Sequence, residues 1–101
     1  MQTITIDGKT YERVDQSDAL WRIVVLDRGF VVVGRVSMDG ESMVVIRDAS
    51  CVRRWGTEKG LGELAEKGPL SETVLDPQGT TRVHILQVVQ QIDCDQTKWT
   101  Q

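Results

Sequence analysis

The feature that most constrains this chain is the run LWRIVVLDRGFVVVGRVS, residues 20 to 37. Valine and isoleucine are branched at Cβ and stiff at χ1, which suits extended chain better than helix. One break interrupts the run, at Arg28-Gly29, and a break of that kind between apolar segments reads as a hairpin turn. Neither half alternates cleanly with polar residues. Strands that are apolar on both faces need cover on both, from the rest of the chain, by closure into a small barrel, or from a second copy. A homo-oligomer is therefore one expectation for a chain of only 101 residues.

Other segments add strands. TITIDGKTYERV holds two alternating runs joined by Asp7-Gly8, the strongest short hairpin signal. Polar residues from Asp15 to Asp18 make a loop, and Met38-Asp39-Gly40-Glu41 makes a turn before SMVVIRD. From Thr3 to Asp48 this predicts a meander of about five strands. The period then changes: Leu61, Leu64 and Ala65 repeat at helical spacing, Gly68 is placed to end the helix, and Pro69 cannot continue it. DPQG (residues 76 to 79) suits a type I turn joining a strand at TVL to one at TTRVHIL. In VHILQVVQQID, Ile85, Val88, Val89 and Ile92 fit a helical stripe, whereas Leu86, Val88 and Ile92 fit a strand face. The β-branched content favours the strand. The tail would read as frayed but for Trp99, which needs an apolar surface.

The expected fold is a single β-rich α+β domain over residues 1–101: an antiparallel meander or small, partly closed barrel with one short helix. Its parts are a hairpin at 1–14, strands across 20–55, a helix at 60–67 and C-terminal strands across 72–92.

A net charge of −3 argues against extended nucleic-acid binding, which usually requires a basic domain. The start MQTITIDGKT lacks the basic and apolar run of a signal peptide, and no apolar stretch approaches the ~20 residues that span a bilayer. The expectation is a reduced, cytoplasmic protein with no membrane contact. Cys51, Cys94 and His84 are the only soft ligands or nucleophile and base candidates, and they are scattered where zinc wants close pairs. Arg53, two residues from Cys51, could activate that thiol, but a small apolar cysteine and one polar histidine explain the same letters. Asp93 and Asp95 flank Cys94 and could do acid–base work, yet a solvated tail explains them too. No catalytic residue, metal or cofactor is expected.

The stretch VRRWGTEKGLGELAEKGPL, residues 52 to 70, is unlike its surroundings. Arg53, Arg54, Trp55, Thr57 and Lys59 form the candidate ligand-binding set. Arginine presents a planar fork of donors suited to phosphate or carboxylate, and an indole can stack on a nucleobase. A helix starting near Gly60 would point free N–H groups toward Thr57 and Lys59. Strand alternation would place Arg53 and Trp55 on one face and Arg54 on the other. The alternative is that Trp55 anchors a core or interface and the arginines are solvated beside Glu58 and Glu63. GTEKGLG lacks the ending of a Walker loop, and no βαβ unit surrounds it.

From Ile23 onward the order of features resembles a family of small uncharacterised proteins encoded by bacteriophages and prophages. The residues that carry the likeness are VVLDRGFVVVG, then ASCVRRWG, GLGELAEKGP, LDPQG, a segment closing on IDC, and Trp99. In this chain the arginine pair directly precedes Trp55, with Ser50 and Cys51 where basic residues are expected. The resemblance implies a phage accessory protein acting in the host bacterial cytoplasm. Two functions fit that context: a non-catalytic binding protein that sequesters a small anionic nucleotide-type ligand, or a protein–protein module such as a host-factor inhibitor or small virion component.

Overall fold

The computed structural model describes residues 3–6, 9–12 and 19–99, the first two segments by their backbone alone. Strands β1 (Thr3–Ile6) and β2 (Lys9–Glu12) pair antiparallel in a two-stranded sheet of their own, with Ile6 opposite Lys9. The Asp7-Gly8 turn and the loop at 13–18 lie outside the described residues.

Five further strands make one antiparallel sheet: β3 (Leu20–Leu26), β4 (Val31–Asp39), β5 (Met43–Arg54), β6 (Val74–His84) and β7 (Val88–Asp93), in the order β6-β5-β4-β3-β7. Arg28 and Gly29, with φ of 69° and 84°, turn β3 into β4. Helix α1 (Leu61–Lys67) packs on β3 and β7, and the short α2 (Gln96–Trp99) on β3. Through Trp99 the chain is held on the sheet, and a second helical turn accompanies the one expected.

This sheet cannot be flat. The edge strands of a flat five-stranded sheet stand about 19 Å apart. Only Ile85–Gln87 separate His84 on one edge from Val88 on the other, a reach of at most about 14 Å. The two residues also belong to opposite ends of the sheet, since His84 lies opposite Met43 and Val88 opposite Leu26. The sheet must bend across itself, and the ladder shows where. Registers shift between Val33 and Arg35 on β4 and between Ile46 and Ala49 on β5. At this bend Gly34 is required: a Cβ there would lie 2.6 Å from Ile46 Cγ2 and 2.8 Å from the Arg47 carbonyl oxygen. β6 and β7 do not pair, so the sheet curls without closing into a barrel.

The bend resolves the valine problem within one chain. Ile23, Val31 and Val33 join Trp21, Val52, Leu64, Ala65, Cys94 and Trp99 in a core under the helices. Their strand neighbours Val24, Val32 and Val36 join Val44, Ile46 and Ala49 in a second core, closed by Val83, Ile85 and Val88 from the bent end. Ile23, Val24, Val33, Val44, Ile46 and Leu64 are each under 2% exposed, and such burial is worth roughly 1.5–3 kcal/mol per side chain before entropy is counted. The valine run alone calls for no second copy.

One local expectation is corrected and two are extended. DPQG is not a hairpin turn; it lies inside β6, where Gln78 is the extra residue between the pairs Ala49↔Gly79 and Ser50↔Pro77. Turns and bulges ask for the same chemistry, a positive-φ glycine (Gly79, φ 73°) and a proline on an edge strand that needs no donor there. SMVVIRD is only the first part of a strand that continues to Arg54. The segment from Val83 is strand, then a 3₁₀ turn at Ile85–Gln87, then strand again.

Candidate functional site

The expected site sits where β5 gives way to α1. Trp55 lies one residue past the strand and is 44% exposed, so alternation no longer sets its side. Gly56 follows at φ 70°, pressed so closely on the backbone of Glu72 and Thr73 that a Cβ could not fit. The Thr73 hydroxyl donates to the Trp55 carbonyl at 2.8 Å and accepts from the Leu70 amide at 2.9 Å. The corner is thus pinned to the segment leading into β6.

Both arginines here are matched within the chain. Arg53 meets Asp76 through Nε at 2.9 Å and Nη2 at 3.2 Å. Arg54 reaches Glu72 at 3.8 Å. These partners replace the Glu58 and Glu63 suggested by the sequence, and Asp76 serves a guanidinium rather than a turn. Both arginines remain about two-thirds exposed, so each pair is worth roughly 0.2–1 kcal/mol.

Glu63 has a different task. Its Oε1 accepts from the Glu58 amide at 3.1 Å, and its carboxylate lies 3.5 Å from Lys67 Nζ. Burial works to raise the pKa of this carboxyl, whose side chain is 11% exposed. The amides of Glu58 and Lys59 and the Lys67 ammonium outweigh that effect and hold it below its ordinary value. The Thr57 hydroxyl donates to the Gly60 carbonyl at 2.8 Å, and Lys59 is exposed. The Glu63 carboxylate thus sits on the amides of Glu58 and Lys59, in the loop just ahead of the helix.

A recess lies elsewhere. Its volume is about 140 Å³, and its walls are Trp21, Val33, Asp48, Ser50, Pro69, Leu75, Lys98 and Trp99. Trp21 and Trp99 stack with centroids 6.2 Å apart and planes inclined by 26°, and Trp99 Nε1 donates to the Ala65 carbonyl at 3.1 Å. Asp48 adopts φ 51°, a left-handed conformation that aspartate tolerates, at the bend of β5. Its Oδ2 accepts from Arg35 Nε at 2.8 Å. Asp48 and Ser50 also line a groove of about 290 Å³ with Ala49, Pro77 and Gly79 across the β5–β6 bulge. None of Arg53, Arg54, Trp55, Thr57 or Lys59 lines either hollow.

Comparison with protein-family models, with curated proteins and with solved structures finds no match to this chain. Its chemistry must be read from its own residues.

The remaining candidates are dispersed. Both cysteines are free. Burial, aided by Asp93, pushes the Cys94 thiol up to about 12. His84 Nδ1 accepts from the Leu86 amide at 3.1 Å, capping the local 3₁₀ turn. Asp93 pairs with Arg22 at 3.0 Å. Asp95 accepts from the Thr97 hydroxyl and amide, bonds that hold its carboxyl below the ordinary value. Among the described residues no three histidine, cysteine or acidic side chains are grouped to hold a metal, and no helix is long and apolar enough to cross a membrane.

Sequence reasoning missed the recess. The available signal was that Trp21 and Trp99 had no assigned partner. Nothing in the letters shows that a bend in β5 brings Asp48 and Ser50 beside them.

Proposed function

We propose that this chain is a non-catalytic binding protein that engages a partner polypeptide through the Arg53–Arg54–Trp55 corner. The observation that carries this reading is the internal pairing of that corner: Asp76 answers Arg53, Glu72 answers Arg54, and Glu63 holds the Glu58 and Lys59 amides in the loop ahead of the helix. An incoming phosphate would face all three carboxylates. What remains on offer is a partly exposed indole framed by charge-paired arginines on pinned backbone. Tryptophan and arginine are the side chains most enriched at the energetic centres of protein interfaces, and a paired, polar rim is what surrounds them. The likeness to phage proteins suggests a bacterial host protein as the partner. Sequestration of a nucleotide is the competing reading, and it requires those internal pairs to open.

A photo-crosslinking amino acid placed at position 55, with a control at Gln91 on β7, tests this in bacterial lysate. One discrete polypeptide adduct is expected from position 55 and none from the control. Excess wild-type protein should compete it away, and excess Trp55→Ala should not. The reading fails if no such adduct forms while nucleotides raise the melting temperature of the wild type and not of Trp55→Ala.

A further inference from the structure

We infer that the recess between the sheet and the two helices is a separate binding site for an aromatic amino-acid unit, a benzene-sized ring with a donor and an acceptor at one end. It shares no residue with the Arg53–Trp55 corner, so it stands or falls independently of the function proposed above. The recess holds about 140 Å³; a cavity of roughly 150 Å³ admits benzene, whereas sites for whole cofactors or nucleotides run to several hundred. The recess is the size of one ring.

The walls divide into an apolar part and a polar one. Val33, Leu75, Pro69 and the two indoles are apolar, and the indole pair is held rigidly by its stacking and by the bond from Trp99 to Ala65. A preformed aromatic wall lowers the entropic cost of binding another ring. The polar lining carries both signs. Asp48 spends Oδ2 on Arg35, and its Oδ1 has no hydrogen-bond partner among the described residues; Ser50 stands two residues on, and Lys98, whose charge also acts on Asp95, completes the lining. A purely anionic ligand would answer Lys98 and meet Asp48; a purely cationic one would do the reverse. The α-substituents of an amino acid answer both, the ammonium toward Asp48 and the carboxylate toward Lys98. No bond is made or broken in this binding.

The test is a titration of ¹⁵N-labelled protein with L-phenylalanine, phenylacetate, phenethylamine and alanine. Phenylalanine should shift the indole N–H signals of Trp21 and Trp99 saturably, with Kd on the order of 0.1–1 mM for a ligand of this size. Phenylacetate and phenethylamine, each lacking one charge, should bind at least about fivefold more weakly, and alanine should produce no shift. Ser50→Leu, which fills the recess, should weaken phenylalanine at least about tenfold. Should that variant fail to fold, the exposed Lys98→Ala decides instead: it should weaken phenylalanine while leaving phenethylamine unchanged. N-acetyl-phenylalaninamide, which carries neither charge, should bind more weakly than phenylalanine and so assign the site to the free amino acid; equal affinity would overturn the inference. The inference is overturned if phenylalanine leaves both indole signals unmoved to ~10 mM, if the single-charge analogues bind equally well, or if Lys98→Ala has no effect.

Discussion

Replacing Trp99 separates a packed C-terminus from an incidental one. The residue is 4% exposed and stacked on Trp21. Removing a buried indole to alanine costs about 3–5 kcal/mol, a figure that already contains the stacking and the cavity left behind. Trp99→Phe divides that sum, because it keeps a ring against Trp21 and removes the bond from Nε1 to the Ala65 carbonyl. That carbonyl also accepts from the Asp95 amide at 3.0 Å, so it is not orphaned, and the loss should stay near 1 kcal/mol. For a domain of this size 1 kcal/mol moves Tm by about 4–8 °C. Trp99→Phe should therefore melt roughly 4–8 °C below the wild type and Trp99→Ala well over 10 °C below it. Urea titration measures both, with an unchanged m-value confirming that the cost is in stability. A loss below about 1 kcal/mol for Trp99→Ala would refute the packing described, since no buried indole is so cheap to remove.

Gly34→Ala should cost about 2–3 kcal/mol by urea titration, because its Cβ meets Ile46 and the Arg47 carbonyl where β4 and β5 shift register, and a near-neutral result would mean the bend is elsewhere. The Glu63 carboxyl is depressed in the folded state, so its contribution to stability is present above its ordinary value of 4.5 and is lost as pH falls from there through the folded value. Melting curves of Glu63→Gln, which keeps an acceptor for the Glu58 amide, should show a flatter acid limb than the wild type. The Cys94 thiol moves the other way, from 9.0 to about 12, so its contribution holds below pH 9 and is lost as pH rises through about 12. At neutral pH a thiol reagent should modify half-buried Cys51 and leave Cys94 untouched until the protein unfolds; rapid labelling of Cys94 in the native state would contradict its burial.

Local signals were legible and their long-range consequences were not. Arg28-Gly29, the turn before Met43 and the Leu61–Leu64–Ala65 spacing each marked an element within a residue or two, because turn chemistry and helical period act over a few residues. The valine run correctly demanded cover on both faces. It did not say that β4 and β5 would bend at Gly34 and lay Val83, Ile85 and Val88 over Val24, since that depends on a register shift between distant strands. DPQG misled for a related reason: its residues suit a bulge on an edge strand as well as a turn, and only the length of β5 decides between them. At the site, charge could be read and pairing could not. Arg53 and Asp76 are 23 positions apart, and the same distance problem hid Asp48 and Ser50 beside two tryptophans near opposite ends of the chain.

The most direct test of the proposed function is the indole N–H resonance of Trp55 in titrations with mononucleotides and cyclic dinucleotides, set beside a titration with the polypeptide captured at position 55. With Asp76, Glu72 and Glu63 already answering the local donors, nucleotides at millimolar concentration should leave that signal in place, and the polypeptide should shift or broaden it. A saturable shift produced by a nucleotide, with none from the polypeptide, would contradict the account.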